Sequence, residues 1–146
     1  MRRNKLLVLV HFVWATQDRI PLITPNIERR LYRYITSVCQ QHGCPAIAVG
    51  GMPDHIHLLV SLSNTISLSE LMKEIKGSSS RFVSEQLHPE GWFAWQPNYG
   101  AFSVSPADKE KVIGYILNQK QHHAHGSIWK NAEEDCEHFE DGNTWQ

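Results

Sequence analysis

The stretch Met52-Pro53-Asp54-His55-Ile56-His57-Leu58-Leu59-Val60 constrains this chain more than any other. Ile56 to Val60 favours an extended, buried backbone and Pro53-Asp54 is turn chemistry, so the segment predicts a strand entered from a tight hairpin turn. Side chains alternate across a strand. Ile56, Leu58 and Val60 therefore share a face that must find a core, and His55 and His57 share the opposite one. Such a pair either stores two hydrogen-bonded histidines or presents half of a metal site, since imidazole is the commonest protein metal ligand near neutral pH.

The rest of the chain supplies partners for that strand. Residues 5–15 are apolar and rich in Val, Phe and Trp, as in a buried first strand. Thr24-Pro25 opens a helix to about His42, with Ile27, Leu31, Tyr34, Ile35 and Val38 as its apolar stripe and Gly43 as its stop. Pro45 to Gly51 reads as a second strand broken by Gly50-Gly51, and His55 to Leu62 as a third. Ser67 with Glu70 forms a capping box for a second helix, interrupted by Gly77-Ser78-Ser79-Ser80. Trp92 to Trp95 and Ala101 to Val104 look extended, and Ser105-Pro106 starts a third helix over about 106–124. The order of elements predicts an α+β fold with a ferredoxin-like or RRM-like antiparallel sheet, the split βαβ pattern, plus an additional C-terminal helix.

The 146 residues divide into one expected domain, residues 1–130, and an acidic tail, residues 131–146. The tail holds six of the 15 acidic residues and none of the 14 basic ones, so a chain of net charge −1 has a body of net +5. A basic body suits a nucleic-acid partner, although many ordinary domains carry as much. No apolar run approaches the length of a membrane span, and Met1-Arg2-Arg3-Asn4-Lys5 before Leu6 lacks the cleavage site of a signal peptide. Cys39, Cys44 and Cys136 are an odd, widely spaced set, as in a reduced cytoplasmic protein.

Further candidates for chemistry lie on the last helix. Tyr115 and Gln119 are four residues apart, which puts both on one helical face. Gln119 offers an amide oxygen suited to a hard cation such as Mg²⁺ or Mn²⁺; alone it would read as a solvated side chain. Tyr115 is explicable as core, beside Val112, Ile113, Ile116 and Leu117. His122 and His123 continue the face toward metal, phosphate or plain solvent. The N-terminal cluster Arg2, Arg3 and Lys5, with Arg29, Arg30, Arg33, Lys73, Lys76 and Arg81, could bind phosphates, although solvated helix faces are the more frequent explanation of such charges. Lys76, beside the small Gly77-Ser80 run, and Arg81 are the candidates for phosphate contact.

His55-Ile56-His57 resembles the His-hydrophobic-His (HUH) motif. The block Trp95-Gln96-Pro97-Asn98-Tyr99-Gly100-Ala101-Phe102-Ser103-Val104-Ser105, followed by Val112 to Gln119, resembles the single-tyrosine HUH transposases of small bacterial insertion sequences. REP-associated tyrosine transposases are close relatives of these. The resemblance runs from about Leu6 to His123. It implies cleavage and rejoining of single-stranded DNA through a 5′-phosphotyrosine on Tyr115, with a divalent metal, Mg²⁺ or Mn²⁺, held by His55, His57 and Gln119. It also implies recognition of hairpin-forming element ends and a homodimer in which the tyrosine helix can complete the partner's site. The same chemistry would serve a host-maintained processor of palindromic repeats. A non-enzymatic RRM-like binder would instead carry aromatics on its central strands, where this chain has histidines. A histidine-triad hydrolase would need a third alternating histidine, where this chain has Leu59.

Overall fold

The computed structural model describes residues 4–87 and 91–125. The strands are β1 (Leu9–Ala15), β2 (Ala46–Met52), β3 (His55–Ser61) and β4 (Gly100–Val104). The helices are α1 (Pro25–Gln41), α2 (Leu68–Phe82), α3 (Lys109–Leu117) and α4 (Gln119–His125). The four strands form one antiparallel sheet in the order β2-β3-β1-β4. That is the predicted split βαβ arrangement, with α3 and α4 added. The boundary at residue 130 and the acidic tail, with Cys136, lie outside the described residues, as do Arg2 and Arg3.

The sheet is buried on both faces. Val10, Phe12 and Trp14 of β1 and Ile56, Leu58 and Val60 of β3 meet α1 and α2 in the larger core. On the other face Leu9, Ala48 and Leu59 meet Val112 and Ile116 of α3. A nine-residue helix is too short to persist alone in water. Burying Val112 and Ile116 contributes about 1.5–3 kcal/mol for each side chain, which holds α3 against the strands.

Four local expectations are corrected by this packing. Strand β1 starts at Leu9, leaving Leu6, Leu7 and Val8 exposed. Gly50 and Gly51 do not break β2, which runs through them to Met52. The Gly77-Ser80 run does not interrupt α2 either: Ser79 is buried and accepts the indole N–H of Trp95 at 2.9 Å, so the small residues let the 93–96 segment lie against the helix. That segment forms no named strand among the described residues and meets the sheet at the isolated bridge Thr16–Trp95. Finally, the expected helix over 106–124 is a short 3-10 turn (Pro106–Asp108), then α3, then α4, with a break at Asn118 (φ −109°, ψ 26°). Cys39 and Cys44 are free and buried. Burial, then the neighbouring Cys44, pushes the Cys39 thiol up to about 12, so it stays protonated.

Candidate active site

The two histidines of β3 point away from the larger core, as their alternation requires, and α3 and α4 roof them. His55 is 1 % exposed and His57 0 %. Their ring centroids are 5.1 Å apart. Tyr115 reaches them from α3, its ring edge-on to His57 at 5.6 Å, and is itself buried. Tyr115 thus leaves the apolar stripe to Val112 and Ile116 and faces the histidines.

The break at Asn118 delivers Gln119. A helix that ends leaves carbonyls without partners. Here two side-chain amides supply donors: Asn118 Nδ2 to the Gly114 carbonyl at 2.8 Å, and Gln119 Nε2 to the Tyr115 carbonyl at 3.3 Å. That second bond fixes the orientation of the Gln119 amide, because only its nitrogen can donate. Its oxygen therefore faces inward, 3.4 Å from His55 Nε2 and 3.2 Å from His123 Nε2. His123 also packs on His55 (ring centroids 5.0 Å) and His122 on Tyr115 (4.9 Å). The ion pair of Lys120 with Glu28 ties α4 to α1 just past the break.

His55, His57, Tyr115, Gln119, His122 and His123 are thus one cluster built within a single chain. Lys76 and Arg81 stand apart from it, on α2 across the sheet. Lys76 Nζ donates to the carbonyls of Gln96 (2.5 Å) and Asn98 (3.1 Å), tying down the loop before β4, and Arg81 is exposed in the last turn of α2.

Two members of the cluster were not singled out from the sequence. His11 of β1 shares the histidine face, and its Nε2 lies 2.8 Å from His57 Nδ1. The signal was present: within the apolar run Leu9–Ala15, His11 is the polar interruption, at the parity that β1–β3 pairing turns toward His57. Asp54, read only as a turn residue, sets its Oδ1 2.7 Å from His55 Nδ1 and its Oδ2 3.5 Å from Arg19 Nε. Burial works to raise the Asp54 carboxyl, but the hydrogen bond and charge of His55, with the charge of Arg19, outweigh it and hold the group below its ordinary range. Arg19 reaches Asp54 from a turn in which Asp18 (φ 54°) and Arg19 (φ 56°) are both left-handed, a conformation that costs a side-chain-bearing residue energy. Gln96 Oε1 accepts from the Asp18 N–H at 2.9 Å and helps hold that turn.

Among the described residues no group of three or more His, Cys, Asp and Glu side chains is arranged to hold a metal ion; the donors gathered here are imidazoles and an amide. No helix among the described residues is long and apolar enough to cross a membrane.

The chain is similar to known transposases. The chain is 29% identical over 114 residues to the ISDra2 transposase TnpA of Deinococcus radiodurans, which spans 75% of this chain and 81% of that one. A crystal structure of a Deinococcus radiodurans R1 protein assigned as a transposase superposes with a TM-score of 0.61 at 26% identity, covering 82% of this chain and 98% of the other. A REP-associated tyrosine transposase bound to a REP hairpin shares the fold, with a TM-score of 0.60 at 20% identity over 88% of this chain and 74% of its own. Residues 4–119, from the lead-in of β1 to Gln119 at the start of α4, match the profile of the IS200-like transposases, and the chain belongs to that family.

Proposed function

We propose that this transposase cleaves and rejoins single-stranded DNA, with Tyr115 as nucleophile and a divalent metal, Mg²⁺ or Mn²⁺, held by His55, His57 and Gln119. One observation carries the reading: in the same chain the tyrosine packs on His57 while the Gln119 carbonyl oxygen meets His55 Nε2.

The donor set fits a cation. Asp54 accepts from His55 Nδ1–H, which in the neutral ring leaves a lone pair on Nε2. The Gln119 oxygen faces that lone pair at 3.4 Å, and it cannot be exchanged for the amide nitrogen without losing the bond to Tyr115. Two acceptors facing each other at this distance call for positive charge between them, a proton on His55 or an ion. His55 Nε2 and the Gln119 oxygen would be two of the atoms that hold such an ion. A bound metal would polarise the scissile phosphate and stabilise the charge that develops on it.

The chain's own residues do the rest. Tyr115 Oη attacks phosphorus, its proton is released, the bond to the 3′ oxygen breaks and that oxygen leaves protonated. The 5′ phosphate stays on the tyrosine, so the bond energy is kept for rejoining. Burial of the cluster under α3 and α4 limits water that would hydrolyse the intermediate. His122, packed on the phenol, and His123, on Gln119, orient the two working side chains and can meet phosphate at the margin.

The partner we infer is a hairpin-forming element end, in line with the hairpin held by the REP-associated neighbour, met in the cytoplasm. A homodimer would carry one complete site per subunit. A host-maintained processor of palindromic repeats would use the same residues. A passive RRM-like binder is disfavoured because α3 covers the sheet face on which bases would stack. Labelled single-stranded hairpins incubated with Mg²⁺ should yield a covalent protein–DNA adduct on denaturing gels. Efficient cutting of blunt duplex without cutting of single strands would reject the proposal.

A further inference from the structure

We propose that His11 is a positioning residue for the metal site: it holds His57 in the tautomer that carries its proton on Nδ1, and so turns the Nε2 lone pair toward the ion. The inference rests on the metal reading above.

His11 Nε2 and His57 Nδ1 lie 2.8 Å apart, with the residues 2 % and 0 % exposed. Between two neutral imidazoles such a contact is a hydrogen bond only if one nitrogen carries the proton and the other the lone pair. If His11 donates, His57 must keep its proton on Nε2 and cannot bind an ion through that atom. If His57 donates, Nε2 is the lone-pair nitrogen and the ring is ready to ligate. The tautomer of a ligating histidine is set by what its other nitrogen meets.

His55 has that support from Asp54, a carboxylate that can only accept. For His57, the partner is His11 on the neighbouring strand. The site therefore has two rings oriented by unlike groups, one a carboxylate partly exposed at the hairpin turn, one an imidazole buried in the sheet. A carboxylate at the depth of His11 would bring an unpaired charge into the sheet, whereas a neutral imidazole accepts without adding charge. The His11 ring also packs on Phe102 of β4, at 6.3 Å between centroids, so β4 helps fix the ring that fixes His57.

Long-range ¹H–¹⁵N spectra of the metal-free protein report the tautomer directly. We expect His57 with its proton on Nδ1; a proton on Nε2 overturns the inference. Mn²⁺ affinity supplies the second readout. His11→Leu should weaken Mn²⁺ binding about tenfold to a hundredfold. His11→Gln should recover most of it, because the glutamine oxygen can stand where Nε2 stood and accept. Unchanged affinity in His11→Leu, or equal loss in both variants with both folded by thermal melting, overturns the role. Pulsed EPR of bound Mn²⁺ should count imidazole nitrogens from two histidines. A third that disappears in His11→Gln would make His11 a ligand and overturn the positioning role. Absence of Mn²⁺ binding by the parent defeats the metal reading and this inference together; bound Mn²⁺ with His57 in the other tautomer defeats this inference alone. Should His11→Leu fail to fold, the tautomer measured in the parent still decides.

Discussion

A Cβ on Gly50 would stand 2.2 Å from the carbonyl oxygen of Ile116. The C-terminal end of α3 therefore rests on bare backbone of β2, at the residue that pairs with His57 in β3. This contact sets the height of the helix over the histidines. Tyr115 is the residue just before Ile116, and Gln119 follows one turn later, so both inherit their position from it.

Gly50→Ala should slow the chemistry while leaving the protein folded. The added carbon must push the backbone of Ile116 away by more than an ångström, and a displacement of that size at reacting groups can cost about a hundredfold in rate. Overpacking should lower stability by only about 1–3 kcal/mol. Gly77→Ala is the control: nothing lies within 4 Å of its Cβ, and alanine in place of glycine within a helix gains about 0.5–1 kcal/mol. Adduct formation rates and urea melts of both variants check this; a Gly50→Ala protein that cuts like the parent would show that α3 is not placed by this contact.

The central strand and the start of α2 were legible because their signals are local. The alternation of His55 to Val60, the Pro53-Asp54 turn and the Ser67–Glu70 cap each depend on residues near one another in sequence. What was not legible depends on contacts between distant segments. Gly50-Gly51 reads as a strand breaker until Ile116 is seen lying on it. The break at Asn118 has no proline or glycine to announce it; it is held by amides that cap Gly114 and Tyr115. His11 is 46 residues from its partner His57, and only the β1–β3 register joins them. The spacing of Tyr115 and Gln119 predicts one helical face, and the pair does meet the histidines, but across a kink.

Tyr115→Phe should abolish the covalent adduct while leaving the fold in place. The ring still packs on His57 and His122, so only a hydroxyl is lost, worth about 1 kcal/mol of stability at most in a typical hydrogen bond. Circular dichroism and DNA binding should match the parent. An adduct formed by the phenylalanine variant would remove Tyr115 from the chemistry.

Asp54 should stabilise the fold only above acidic pH. Its folded pKa is held below the ordinary value of about 3.9. A depressed carboxyl contributes stability that is fully present above the unfolded pKa and is lost as pH falls through the folded one. Asp54→Asn should therefore be less stable than the parent near neutral pH, with the difference shrinking below about pH 4. Urea unfolding of both proteins across that range tests the sign; a difference that grows on acidification contradicts the pairing of Asp54 with His55 and Arg19.

Mixing a Tyr115→Phe subunit with a His55→Ala subunit should restore no cleavage. The resemblance to single-tyrosine transposases raised the expectation that the tyrosine helix completes a partner's site, but here Tyr115 packs on its own chain's His57 and Gln119 on its own His55. With both elements supplied in cis, each mutant subunit lacks one part of its only site, and pairing two such subunits repairs neither. Exchange of helices would first have to lift α3 from the sheet, exposing Val112 and Ile116 at about 1.5–3 kcal/mol each, and part Lys120 from Glu28. Those losses would be recovered only if the partner offered the same bed. Recovery of cleavage in the mixture would mean that it does, and that the active assembly exchanges its tyrosine helices.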